Sequence, residues 1–269
     1  MFSHARRGPL NTSMAETLPL SLVVITRDAA AELAACLASA PFAAEALVVD
    51  SGSADHTVDV ARAAGARVLV EAWRGFGPQK QFAASAARHD WVLCVDADER
   101  VSPELAASIR ALFAQGTPPA GAYALSRRNC FLGRWLAHGE GYPDWTLRMF
   151  DRRRARWSDD PVHERVISDA PTARLKGDLL HRSAESLESY VAKQNRYTSL
   201  QAEALHARGE RASAARIALS PIARFLRFYV VKLGFLDGIP GFAHIAIGAF
   251  ASFLKYAKLR ALEVAARQP

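Results

Sequence analysis

The fold class this sequence predicts is α/β: a doubly wound, mostly parallel sheet followed by a basic helical extension. Three observations predict it. Short apolar runs rich in β-branched residues recur at residues 20–25, 46–49, 67–70 and 91–95, helical periodicities fill the intervals, and strand-like runs give way to helical spacing after Ser186. The composition is that of a folded chain, with 50% hydrophobic and 23% charged residues over 269 positions.

Residues 1–17 carry His4, Arg6 and Arg7 but no apolar core of a signal peptide, and are expected to form a disordered leader. The run at 20–25 reads as a buried strand. Thr26-Arg27-Asp28 then turns into a helix with Leu33, Cys36, Leu37 and Ala40 on one face and Asp28 as its N-cap. Residues 46–49 repeat the strand and end in Asp50-Ser51-Gly52-Ser53. A helix is expected over 55–64, stopped by Gly65, then a strand at 67–70, a helix over 79–88 and a strand from Trp91 to Asp96. Strands alternating with helices in this way imply right-handed parallel crossovers. The last strand runs into Ala97-Asp98-Glu99, and Ser102-Pro103-Glu104 opens another helix.

Ligands of open α/β sheets sit outside the carboxyl ends of the strands, where Asp96 and Asp98 fall. Two carboxylates one residue apart can grip a hard divalent cation and, through it, a diphosphate; the alternative is a solvated acidic turn before a helix. Asp50, at the second strand end, is either a turn former with Gly52 or a carboxylate that hydrogen-bonds the base or ribose of a nucleotide. Neither G-x-G-x-x-G nor G-x-x-x-x-G-K-[ST] occurs, so phosphate handling falls to a metal and not to a glycine-rich loop. Cys36, Cys94 and Cys130 form no C-x-x-C pair, which gives no zinc site and points to a reducing compartment.

The ordered set Val24-Ile25-Thr26, Val48-Val49-Asp50-Ser51-Gly52-Ser53-Ala54-Asp55-His56-Thr57, Lys80 and Asp96-Ala97-Asp98-Glu99 resembles the family 2 glycosyltransferases of the GT-A (nucleotide-diphospho-sugar transferase) fold. The resemblance covers residues 18–185, which are expected to form the catalytic domain. The chain departs from the family pattern in one place, with Ser51 where a second acid is common. Tyr142-Pro143-Asp144-Trp145-Thr146-Leu147-Arg148-Met149-Phe150 and Pro161-Val162-His163-Glu164-Arg165 extend the similarity toward bacterial lipopolysaccharide core glycosyltransferases of the inner-core glucosyltransferase type.

What the resemblance implies is transfer of a sugar, with inversion, from a nucleotide-sugar such as a UDP-hexose to a lipid-linked saccharide. Thr26, Asp50 and Asp96 would hold the nucleotide, Lys80 would stand near the phosphates, and Asp98 with His181 as a late ligand would hold Mg²⁺ or Mn²⁺. An inverting transfer needs a carboxylate at the acceptor hydroxyl, and Glu164 is the expected base. Trp145, Arg148 and His163 would bind the acceptor, since aromatic faces suit sugar rings and arginines suit phosphates and carboxylates.

The net charge of +7 lies wholly in the tail: residues 205–269 hold ten Lys or Arg against three acids. Residues 186–269 are expected to be helical, and 238–254 contain no Asp, Glu, Lys or Arg. A spanning helix wants roughly 20 apolar residues, and this run of 17 holds Pro240, three glycines and His244. The expectation is a helix lying in the membrane interface and gripping lipid with Phe242, Ile245, Ile247, Phe250 and Phe253, as a peripheral protein on the cytoplasmic face of a bacterial inner membrane. Packing of the same helices on the catalytic domain or on a second subunit is the alternative. The interleaved apolar residues favour a membrane over nucleic acid as the basic tail's partner. Two further functions are open to such a chain: a nucleotidyltransferase, which usually carries a glycine-rich loop near its first strand, absent from residues 20–31, and a non-catalytic membrane adaptor.

Overall fold

The structure, a computed structural model, describes residues 17–160, 164–182 and 186–266. The expected leader and His163 therefore lie outside the described residues, apart from Thr17. The amino-terminal half follows the expected alternation: β1 (Leu18–Thr26), α1 (Ala30–Ala38), β2 (Ala43–Asp50), α2 (Thr57–Ala63), β3 (Arg67–Val70), α3 (Phe76–Ala86) and β4 (Trp91–Asp96). These strands pair in parallel in the order β3-β2-β1-β4. Alternate residues of β1 feed two cores, as a sheet covered on both faces requires. Leu20, Leu22 and Val24 pack with Leu33 and Cys36 of α1, whereas Val23 packs with Ala83 and Ala84 of α3. Burying each such Leu or Val contributes about 1.5–3 kcal/mol before entropy is charged.

The second half departs from the mostly parallel expectation. After β5 (Glu99–Val101) and α4 (Pro103–Ala114) come β6 (Ala122–Phe131), β7 (Arg134–Trp135), β8 (Asp144–Asp151), β9 (Ala155–Trp157), β10 (Val166–Ser168) and β11 (Thr172–His181). The sheet continues from β4 through antiparallel β8 and β6, then β11 parallel to β6, and closes on antiparallel β5. No helix separates β6 from β8, and the chain turns back on β6 first through the short antiparallel β7 and then through β8.

Two helix starts test local capping logic. Ser102 caps α4 as its sequence suggests, Oγ accepting the Leu105 N–H at 3.2 Å, and it also accepts the Asp178 N–H at 3.0 Å. Ser102→Ala is expected to cost about 1–2 kcal/mol, the upper range for a lost N-cap, readable as a lower urea midpoint at unchanged slope; an unchanged midpoint would remove the cap from the account. Asp28 does not cap α1. It takes φ 50 and accepts the Ala54 N–H at 2.7 Å, while Thr57 Oγ1 and Asp55 Oδ2 accept the N–H groups of Ala29 and Ala30 at 2.8 and 3.2 Å. The loops after β1 and β2 are thereby knitted to each other.

The carboxy-terminal part is helical: α5 (Leu187–Ala207), α6 (Ala214–Leu226), a π-helical turn (Arg227–Val231), a 3₁₀ turn (Gly234–Asp237) and α7 (Gly238–Ala265). It is docked on the sheet domain. Asp237, 2% exposed, accepts the N–H groups of Ala137 and His138 at 3.0 and 2.8 Å, Arg224 pairs with Glu140, and Phe131 of β6 meets Tyr190 and His244 with ring centroids 5.2 Å apart in each case. One side of α7 is buried through Ile245, Ala249, Ser252 and Leu259. Roughly a quarter-turn round the helix from it, Ile239, Phe242, Phe250 and Phe253 are exposed. Of the expected lipid-gripping residues, Ile245 thus belongs to the packed side. Residues Gly234–Ala265 are long and apolar enough to cross a membrane by length and composition.

Candidate active site

Register brings the candidate residues to one edge. Thr26 stands opposite Asp50, Ile25 opposite Asp96, and His181 opposite Glu99, so the carboxyl ends of β1, β2 and β4 meet the end of β11. At the centre, Asp96 Oδ1 lies 3.1 Å from Lys80 Nζ and Oδ2 accepts from Arg148 at 2.9 Å. Lys80 also donates to Glu164 Oε1 at 2.9 Å. Beneath them Glu99, fully buried, accepts the Asp96 N–H at 2.9 Å through Oε2 and faces Arg148 at 3.2 Å through Oε1. The Trp157 ring lies under both cations, at 4.9 Å from Lys80 and 5.9 Å from Arg148.

Such a cluster persists because each charge is paired. Burial pushes the Asp96 carboxyl up, but Arg148 and then Lys80 outweigh it and hold it well below the usual carboxylate range. That holds although 31% of the Asp96 side chain remains accessible. Burial dominates at Glu99 and raises it despite Arg148. Burial also raises the Cys94 thiol, to about 11, so this neighbouring sulfur is a packing group and no nucleophile.

Asp98 and His181 meet beside the cluster, with Asp98 Oδ2 3.1 Å from His181 Nε2. His181 Nδ1 lies 2.8 Å from Asn129 Oδ1, so each ring nitrogen faces a side-chain oxygen and the ring is held from both sides. A carboxylate oxygen and an imidazole nitrogen, on a ring whose other nitrogen is held by Asn129, are a donor set that fits a divalent cation. Among the described residues no group of three or more His, Cys, Asp or Glu gathers as a metal cage. Two protein ligands suit a cation that shares its coordination with phosphate oxygens.

Other expected residues sit differently. Asp50 is 1% exposed, and its carboxylate is closed over its own turn, accepting from Gly52 N at 3.0 Å, Ser53 N at 2.9 Å and the Ser53 hydroxyl. Gly52 makes this possible at φ 85. Thr26 Oγ1 is buried without a hydrogen-bond partner, an orphan polar atom at the strand-end edge. Lys80, expected beside phosphates, is 6% exposed and bridges two carboxylates. Arg148, expected at the acceptor, is 5% exposed and turned inward onto Asp96 and Glu99. Trp145 is exposed, with Arg174 4.7 Å over its ring. Two further residues belong to the site: Glu99, which adjoins the acidic motif, and Asn129, which no local sequence pattern marks.

The profile of Glycosyl transferase family 2 matches residues 21–172. A glycosyltransferase of Rickettsia bellii is 35% identical over 263 residues, covering 92% of this chain and 88% of its own. The lipopolysaccharide core biosynthesis glycosyltransferase LpsC of Rhizobium meliloti is 30% identical over 253 residues, covering 91% and 93%. Among solved structures, Staphylococcus aureus TarS 1–349 in complex with UDP-GlcNAc aligns over 92% of both chains at 14% identity and a TM-score of 0.45. With the family profile spanning more than half of the chain and relatives 35% and 30% identical over 92% and 91% of it, the protein belongs to glycosyl transferase family 2 and is a glycosyltransferase of the GT-A fold.

Proposed function

We propose that this glycosyltransferase moves a hexose from a nucleotide diphosphate sugar, UDP-linked, to a lipid-linked saccharide such as lipopolysaccharide core, with inversion at the anomeric carbon. The observation that carries this is the Lys80 bridge, which ties Glu164 to the strand-end acid Asp96 at 2.9 and 3.1 Å. Asp98 and His181 would hold Mg²⁺ or Mn²⁺, which would supply positive charge to offset that building on the leaving diphosphate. Thr26 Oγ1 and the Asp50 loop face the nucleoside. Glu164 keeps Oε1 on Lys80 and turns Oε2 to the acceptor.

The acceptor oxygen forms its bond to the anomeric carbon as the bond from that carbon to the diphosphate oxygen breaks. The electron pair leaves with the nucleoside diphosphate, and the acceptor proton passes to Glu164. Arg148 and Glu99 keep Asp96 fixed, and Trp145 and His163 serve the acceptor side. The acceptor class is supported by the similarity to LpsC. A peripheral position on the cytoplasmic face of the inner membrane is supported by the exposed apolar side of α7 and the tail's basic charge.

Asp98→Ala tests the metal arm. The side chain is 36% exposed, so little packing is lost and melting should barely move. Nucleotide binding measured by calorimetry should lose its dependence on Mn²⁺, and transfer should be abolished. Undiminished metal-stimulated turnover would remove the cation from this mechanism.

A further inference from the structure

Between α5 and α7 runs an open groove of about 740 Å³, walled by Leu187 and Val191 on one helix and Ile247, Phe250, Ala251 and Leu254 on the other. Its volume is that of a small-molecule site, and its walls are almost wholly apolar. The two helices run in the same direction, Tyr190 meeting His244 and Asn195 meeting Lys258. Asn195 lines the groove and holds Lys258 at its end. The Lys258 ammonium is surrounded by neutral acceptors, Asn195 O and Oδ1 at 2.7 and 2.6 Å and the Thr198 and Ser199 hydroxyls at 2.8 Å each. None of the described carboxylates pairs with it. Phe250 belongs both to the groove and to the exposed side of α7, so the groove opens onto the apolar face that continues through Phe242 and Ile239.

We infer that this groove takes one acyl chain of an anionic membrane lipid, with the lipid phosphate toward Lys258. Two features select that occupant. The apolar walls are continuous with the exposed face of α7, and the end of the groove carries a cation that no carboxylate among the described residues pairs with, complementary to an anionic head group. The inference rests on the membrane reading above and deepens it. A chain drawn into the groove would fix how the domain sits on the bilayer, because Phe131 ties Tyr190 and His244 to β6 two residues from Asn129, the partner of His181.

The test uses the full chain on phosphatidylglycerol vesicles containing a trace of phosphatidylglycerol with a diazirine on one acyl chain. After irradiation, adducts should map to both walls, residues 187–195 and 247–254, besides the exposed face. Ala251→Trp, and Val191→Trp from the opposite wall, should each lose the adducts on the facing wall while melting temperature and vesicle co-sedimentation are kept. A trace phosphatidylcholine with the same labelled chain, in the same vesicles, should label the groove less. Adducts confined to the exposed face despite full co-sedimentation would overturn the groove and leave the membrane reading standing. Equal labelling by the two head groups would overturn the role of Lys258. A dimer abolished by either tryptophan, with walls that resist label, would give the groove to a second copy instead. Failure to co-sediment at all would overturn the membrane reading and this inference together.

Discussion

Glu164→Gln is expected to bind nucleotide-sugar about as well as the parent and to transfer roughly 100 to 10,000-fold more slowly, the usual contribution of a positioned proton acceptor. Glutamine keeps the shape and still offers an oxygen to Lys80, which retains its second partner, Asp96, at 3.1 Å. It cannot take a proton near neutral pH. The substitution therefore separates chemistry from binding. Loss of a group that only anchors the acceptor would raise the Michaelis constant for acceptor and leave turnover largely intact. Loss of a structural strut would instead lower the melting temperature with both steps impaired. Near-parental turnover at saturating acceptor would end the assignment and direct attention to Asp144, Asp159 and Asp160, the other acids of the segment proposed for the acceptor side.

Arg148→Met is expected to give the largest loss of stability. The guanidinium is 5% exposed and stands between Asp96 and Glu99, and a methionine of similar length cannot pair with either. Breaking a buried ion pair from one side costs about 3–5 kcal/mol, which for a chain of this size lowers the melting temperature by roughly 6–20 °C. The pH dependence gives the signature. In the parent Asp96 is depressed by Arg148 and Lys80, so its contribution is present above the ordinary carboxylate pKa and is lost as pH falls. In the variant the buried carboxylates are left with less cation and protonate more readily. The gap between parent and variant should thus be widest near pH 7 and shrink as pH falls toward about 4. A gap that stays constant between these values, followed by thermal melting, would show that Arg148 acts by packing alone.

The pieces legible in the sequence were those set by neighbouring residues. The boundaries of β3 and β4 follow from short apolar runs cut off by polar residues, and Ser102 announces α4 because a cap, a proline and an acid stand in line. What depends on distant partners was not legible. Asp28 has the chemistry of an N-cap, yet Thr57 and Asp55, more than 20 positions away, satisfy α1 instead. Arg148 lies in an aromatic, basic stretch that suits a saccharide, but as a strand residue its side chain is fixed by the pleat. The pairing of β8 with β4, which places it under Asp96, appears only once the sheet is assembled. The same limit hid Asn129, whose role exists only through its contact with His181.

If Asp98 and His181 make this edge a metal-assisted nucleotide site, thermal melting of the purified chain with a panel of nucleoside diphosphates and Mn²⁺ will show it. At a nucleotide concentration near 100 times the dissociation constant, binding adds about 2.7 kcal/mol to the native state, a rise of roughly 5–10 °C. The account predicts that rise for at least one uridine or other nucleoside diphosphate, only when Mn²⁺ is present, and its disappearance in Asp98→Ala. No rise with any nucleotide, or an equal rise with the metal chelated or Asp98 replaced, would contradict it.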